Sequence, residues 1–159
     1  MVEETIEQLI SKLKATQKQL IALLESVFGD QDWQPDAEQW SFRYIAAHMA
    51  TVEKDCYRDR VRRIAANESP HFESYFNTGW DLSQFDLKDS LNEWIATRQE
   101  IIDFVRTLPE EKWSLTGTHA TFGTITLLNV LQMMLDHDQE HLTHLEQAIG
   151  EYRARTQGI

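Results

Sequence analysis

Cysteine is almost absent: Cys56 is the only one in 159 residues, so no intramolecular disulfide can hold the chain together. Three prolines and six glycines are too few for a collagen-like or low-complexity architecture. Basic residues are scarce as well, with 15 Lys and Arg against 26 Asp and Glu and a formal charge of −11. Phosphate binding runs on surplus cations, so this balance argues against nucleic acid as a partner. No uninterrupted apolar run approaches the roughly 20 residues needed to cross a bilayer, so no membrane partner is expected. The first ten residues, MVEETIEQLI, are acidic and amphipathic rather than basic and then apolar. They do not form a secretory signal, and a cytoplasmic location is expected. Nucleotide-binding glycine loops, the G-x-S-x-G elbow and H-E-x-x-H are also missing. The sole E-x-x-H, Glu68 to His71, straddles Pro70, which argues against a ferritin-like di-iron centre built from helical motifs.

What the chain does have is helical periodicity. Ile6, Leu9, Ile10, Leu13, Leu20, Leu24 and Val27 recur at three- and four-residue intervals over about residues 3–28, which predicts a first helix ending at Gly29-Asp30. A second helix opens at WSFRYIAAH, with Ser41 as N-cap and Trp40 placed to staple the first turn. Its stripe is Ile45, His48, Met49, Val52 and Cys56, and it ends near Ala66. The basic run Lys54 to Arg63 falls at the end of this helix and reads as solvated cations matched to the helix dipole. A third helix from Asp86 or Asp89 carries Leu91, Trp94, Ile95, Arg98, Ile101, Ile102, Val105 and Leu108. The fourth is capped by Thr124 or Thr126 and is expected to stop at Gly150.

No segment alternates convincingly with period two, so no strand is expected. Four amphipathic helices in one domain spanning residues 1–159 predict an all-α four-helix bundle. The aromatic-rich connection SPHFESYFNTGWDLSQFD between the second and third helices is too long for a simple hairpin. It predicts a crossover rather than an up-down-up-down order.

Three of the six histidines fall in LDHDQEHLTHL, residues 135–145. His137 and His141 are four apart, so they share one helix face, and that face is the apolar one. Two inward imidazoles at this spacing can share a divalent cation, with Zn or Ni the best matches to nitrogen donors. His48, which interrupts the apolar stripe of the second helix, is the candidate third ligand. Taken singly, each of the three would more often be a hydrogen-bonded core residue; their coincidence on two buried stripes favours a metal site. His144 borders the same face and reads as a second-shell partner rather than a ligand. His71 and His119 read as loop or surface residues, and Cys56, eight positions beyond His48, as core packing. HDQEH also fits the inverted zinc-protease pattern H-x-x-E-H with Glu140 as base. Only 18 residues follow His141, too few to build a peptide cleft, and Glu140 is instead expected to be a surface charge.

WSFRYIAAHM, followed far down the chain by TLLNVLQMMLDHDQEHLTHL, resembles the DinB/YfiT-like superfamily. The resemblance covers the whole chain and implies a four-helix bundle, often dimeric, that binds a divalent metal through three histidines. Carried over, those ligands correspond to His48, His137 and His141. Many relatives have Gln at the position of His144. Activities in the superfamily centre on low-molecular-weight thiols transferred onto small electrophiles. The resemblance therefore implies a metal-dependent enzyme on a small-molecule substrate, a thiol S-transferase in the first instance and a metal-dependent hydrolase in the second. It also implies a homodimer. A metal-stabilised bundle without catalysis, or an interaction module, is the reading from outside enzymology. Trp40, Tyr44 and Trp80 are candidates to line the pocket.

Overall fold

The computed structural model describes residues 2–76 and 81–157. Five α-helical segments form four rods. The first rod is α1, Val2–Glu25, and the second is α2, Phe42–Val52, a π turn at Glu53–Tyr57 and α3, Arg58–Ala65. The third is α4, Leu87–Arg106, and the fourth α5, Leu127–Gln157. Two of the helix starts read from sequence are capped as expected or at one of the two positions expected. Ser41 accepts the Tyr44 N–H at the start of α2, and Asp86 accepts the N–H groups of Lys88 and Asp89 at the start of α4.

The core has two apolar halves. One contains Leu9, Leu13, Val52, Ile64, Ile101, Ile102, Val130 and Met134, and the other Leu20, Leu24, Phe42, Ile45, Leu91, Trp94 and Leu145. Following each rod from one half to the other fixes its direction. The first and fourth rods run one way and the second and third the other. The order is up-down-down-up, and the parallel pair requires the expected crossover. α1 packs against α5, and α2 against α4. Between the apolar halves lies a buried polar belt: Thr16, Gln17, His48, Glu53, Thr97, Arg98 and Asp138.

Two expectations fail. Three short strands form a small sheet at the α3 end of the bundle: β1, His71–Phe72, pairs parallel with β2, Thr116–His119, which pairs antiparallel with β3, Gly123–Thr126. These segments are too short to display a period. Thr-rich β2 and β3 are joined by a tight turn in which Gly123 has φ of 72°. The last helix also continues past Gly150 to Gln157. Residues beyond the glycine find tertiary partners: Tyr152 hydrogen-bonds Asp30 and packs edge-on against Trp33, and Arg155 donates to the Pro35 carbonyl. Packing outweighs the roughly 1 kcal/mol cost of a glycine inside a helix.

Candidate metal centre

His48 comes from the second rod and His137 and His141 from the fourth, on facing sides of the polar belt. His48 Nε2 lies 3.1 Å from His137 Nε2, which lies 3.1 Å from His141 Nε2. One potential donor atom from each of the three histidines falls within 4.8 Å of the others. A ring nitrogen carries either one proton or one lone pair, so His137 Nε2 cannot make two full hydrogen bonds to its neighbours. A shared cation resolves that conflict. Donors held at about 2.05 Å around a tetrahedral ion stand about 3.3 Å apart, close to the separations observed. The donor set therefore fits a divalent metal ion.

The electrostatics agree. Burial, reinforced by the adjacent imidazoles, pushes His137 down to about 2 and His141 to about 3. Both stay neutral at physiological pH, the form that coordinates a cation. Trp40 stacks on His141 with ring centres 5.7 Å apart and an interplanar angle of 17°, and also packs against His48 and Tyr44. The residue expected to staple a helix start thus walls one side of the centre. His144 is exposed, with its ring 6.1 Å from that of His141 in an edge-on contact. No hydrogen bond joins the two among the described residues. Trp80 lies outside the described residues.

The sequence matches the DinB superfamily over residues 12–145, a span that takes in all three histidines. The chain belongs to the DinB superfamily. No curated protein matches it. Among solved structures, it is similar to YfiT from Bacillus subtilis, described as a probable metal-dependent hydrolase with an unusual four-helix bundle topology. The TM-score is 0.80 at 22% identity, with 99% of this chain and 90% of that chain covered. At that identity the likeness establishes the fold.

In this DinB-superfamily chain the centre is braced by a buried ion cluster that the sequence did not announce. Arg98 is 1% exposed. Its Nε and Nη2 donate to Glu53 at 2.6 and 2.8 Å, and Nη1 and Nη2 donate to Asp138 at 2.9 and 3.3 Å. Nη1 also donates to the Leu13 carbonyl at 3.2 Å, and Trp94 Nε1 donates to Glu53 at 3.3 Å. Glu53 opens the π turn five residues after His48, and Asp138 directly follows His137. Arg98 thus ties both ligand-bearing rods to α1 and α4. Burial raises the Asp138 carboxyl to about 6, against the pull of Arg98. An arginine on the stripe Leu91, Trp94, Ile101 was the available signal, because a buried guanidinium requires carboxylate partners.

Next to the histidines is a cavity of about 480 Å³, lined by His48, His137 and Glu140, by Val52, Cys56, Tyr57 and Arg60, and by the crossover and the β2–β3 turn. Tyr57 packs its ring edge-on to His137 with centres 5.8 Å apart. Cys56 is buried as expected, and desolvation lifts its thiol to about 11, so it is no nucleophile at neutral pH. Glu140 is exposed as expected, yet it also reaches the cavity rim. Two expectations change here. His119 is a buried cavity residue whose Nδ1 accepts the N–H groups of Thr121 and Phe122 at 2.9 and 3.3 Å. Arg60, read as a solvated cation, is buried as well.

Proposed function

We propose that the protein is a metal-dependent thiol S-transferase: a small thiol bound at the centre attacks an electrophilic carbon of a substrate held in the adjoining cavity. The observation that carries this reading is three converging imidazoles, His137 and His141 held neutral by burial, beside a ligand-sized cavity. Three protein ligands leave a divalent cation room for an exchangeable one, which is the catalytic rather than the structural pattern. When bound there, Zn or Ni lowers the pKa of a coordinated thiol or water into the neutral range. The protein's own contribution is orientation and exclusion of water. His48, His137 and His141 would hold the cation, Arg98 fixes the two rods that carry them, and Trp40, Val52 and Tyr57 close apolar surface around that point. In the reaction a sulfur–carbon bond forms, the carbon–leaving-group bond breaks with its electron pair, and the thiol proton passes to solvent.

Hydrolysis is the second reading. It is favoured by the description of YfiT and by Glu140, a carboxylate at the cavity rim. One assay separates the two: consumption of a chlorinated or epoxide substrate that continues without added thiol refutes transfer and supports hydrolysis. Purification without a histidine tag, followed by elemental analysis, should give about one Zn or Ni per chain, and none in His48→Ala. If His48→Ala lowers the melting temperature but no turnover can be elicited from the intact protein, the metal is a fold staple.

A further inference from the structure

The cavity has a second group of polar side chains, or pole, formed by Arg60, His119 and Tyr57, the last also in edge-on contact with His137. Arg60 is 6% exposed, and a guanidinium carries five N–H donors. Its one hydrogen bond among the described residues runs from Nη2 to the Glu73 carbonyl at 3.2 Å, while its charge lies over the Phe72 ring at 5.4 Å. No carboxylate pairs with it among the described residues. Of the acids on the surrounding elements, Glu53 is engaged with Arg98, Asp59 with Arg63, Glu73 with His71 and Asp55 with the Tyr75 hydroxyl, and Glu140 is exposed at the rim with no ion pair to Arg60 among the described residues. A buried guanidinium without a counter-ion is costly unless a ligand supplies the charge.

Two neutral donors line the same cavity. Because His119 Nδ1 accepts two backbone N–H bonds, the proton of the neutral ring resides on Nε2, the remaining polar edge of a side chain that lines the cavity. Burial and the nearby Arg60 hold that ring below its ordinary pKa, so it stays neutral. The Tyr57 hydroxyl, on a residue 8% exposed, donates to no group among the described residues.

We propose that this pole binds the carboxylate of a small-molecule substrate, with Arg60 as anchor and His119 Nε2–H and the Tyr57 hydroxyl as flanking donors. One cation with two neutral donors matches a singly charged group. A phosphate dianion would bring excess negative charge into a cavity that already carries Glu140 at its rim. The substrate is then a carboxylic acid whose reactive carbon lies toward His48, His137 and His141. That orientation rests on the metal-centre reading, but the anion pole itself does not.

The test uses metal-free protein, acetate as probe and acetamide as its neutral isostere, at constant ionic strength in chloride. Acetate should shift the side-chain nitrogen resonances of Arg60 and His119 saturably and raise the melting temperature, while acetamide does neither. Arg60→Met should weaken acetate binding at least tenfold without lowering the melting temperature of the anion-free protein. Tyr57→Phe should weaken binding several-fold. Equal effects of acetate and acetamide, acetate binding by Arg60→Met within twofold of wild type, or a preference for inorganic phosphate over acetate would each overturn the proposal. Metal content, measured in parallel, separates the two readings. A protein that binds acetate through Arg60 but takes up no metal retains the anion pole and loses the metal centre.

Discussion

Replacing Arg98 by Met removes the cation that Glu53 and Asp138 both face, while keeping most of the side-chain volume. Five hydrogen bonds from the guanidinium disappear, four of them to carboxylates that are 2% and 1% exposed. The Leu13 carbonyl loses its donor as well. Breaking a buried ion pair from one side costs about 3–5 kcal/mol, because the abandoned charge stays desolvated. A domain of this size has about 5–15 kcal/mol in hand, so the variant should sit near the edge of folding. The deficit should depend on pH with a definite sign. Without Arg98 the Asp138 carboxyl is pushed up further than the value of about 6 that it already has. Its neutral form is tolerated and its charged form penalised, so the variant's deficit relative to the parent protein grows as pH rises from 5 to 8. Urea titration of metal-free protein at the two pH values measures this. Replacing all three residues by Leu or Met should recover most of the loss, since a well-packed apolar triad is often as stable as a buried ionic one. A single Arg98→Met variant that loses less than about 1 kcal/mol at pH 8 would refute the claim that the cluster braces the bundle.

Acid should destabilise the metal-free protein through the ligand histidines. His137 and His141 are held down to about 2 and 3 when folded, so below 6.5 the unfolded chain binds protons that the folded chain refuses. Stability is complete above 6.5 and falls toward the folded values, by up to about 2 kcal/mol per histidine at pH 5; a urea midpoint unchanged between pH 7 and 5 in chelator would contradict this. At Gly117, an added Cβ would meet the Pro70 carbonyl oxygen and Phe72 Cε2 at 3.0 Å. Gly117→Ala should therefore push β1 from β2 and cost about 1–3 kcal/mol, with a shift in the His119 ring resonances. An unaltered His119 environment would show that the sheet absorbs the methyl group elsewhere.

The rods and the clustered histidines were legible because they depend on patterns local to each helix. Apolar spacing marked the rods, Ser41 and Asp86 marked their starts, and an i,i+4 histidine pair on an apolar face marked the site. The sheet was not legible, because strands of two to four residues carry no period and β1 finds β2 more than forty positions away. The end of α5 was misread because Gly150 signals only a local preference, whereas Tyr152 and Arg155 act through contacts with residues 30–35. Arg60 and His119 were misassigned for a related reason. Charge and loop position favour solvent, and only the fold shows that the crossover and the β2–β3 turn close over them.

The π turn at Glu53–Tyr57 acts as an offset in helical phase. One extra residue in a turn rotates everything downstream by about 100° relative to an uninterrupted α-helix. His48 lies before the turn and Arg60 after it, so their relative bearing around the rod depends on that single residue. Deleting one position between 53 and 57 would straighten the rod and leave its composition almost unchanged. It would also swing Arg60 away from the face that His48 shares with the cavity. In this chain the spacing between His48 and the residues that follow the π turn therefore carries spatial information. An alignment that closes a one-residue gap there would pair side chains that point in different directions.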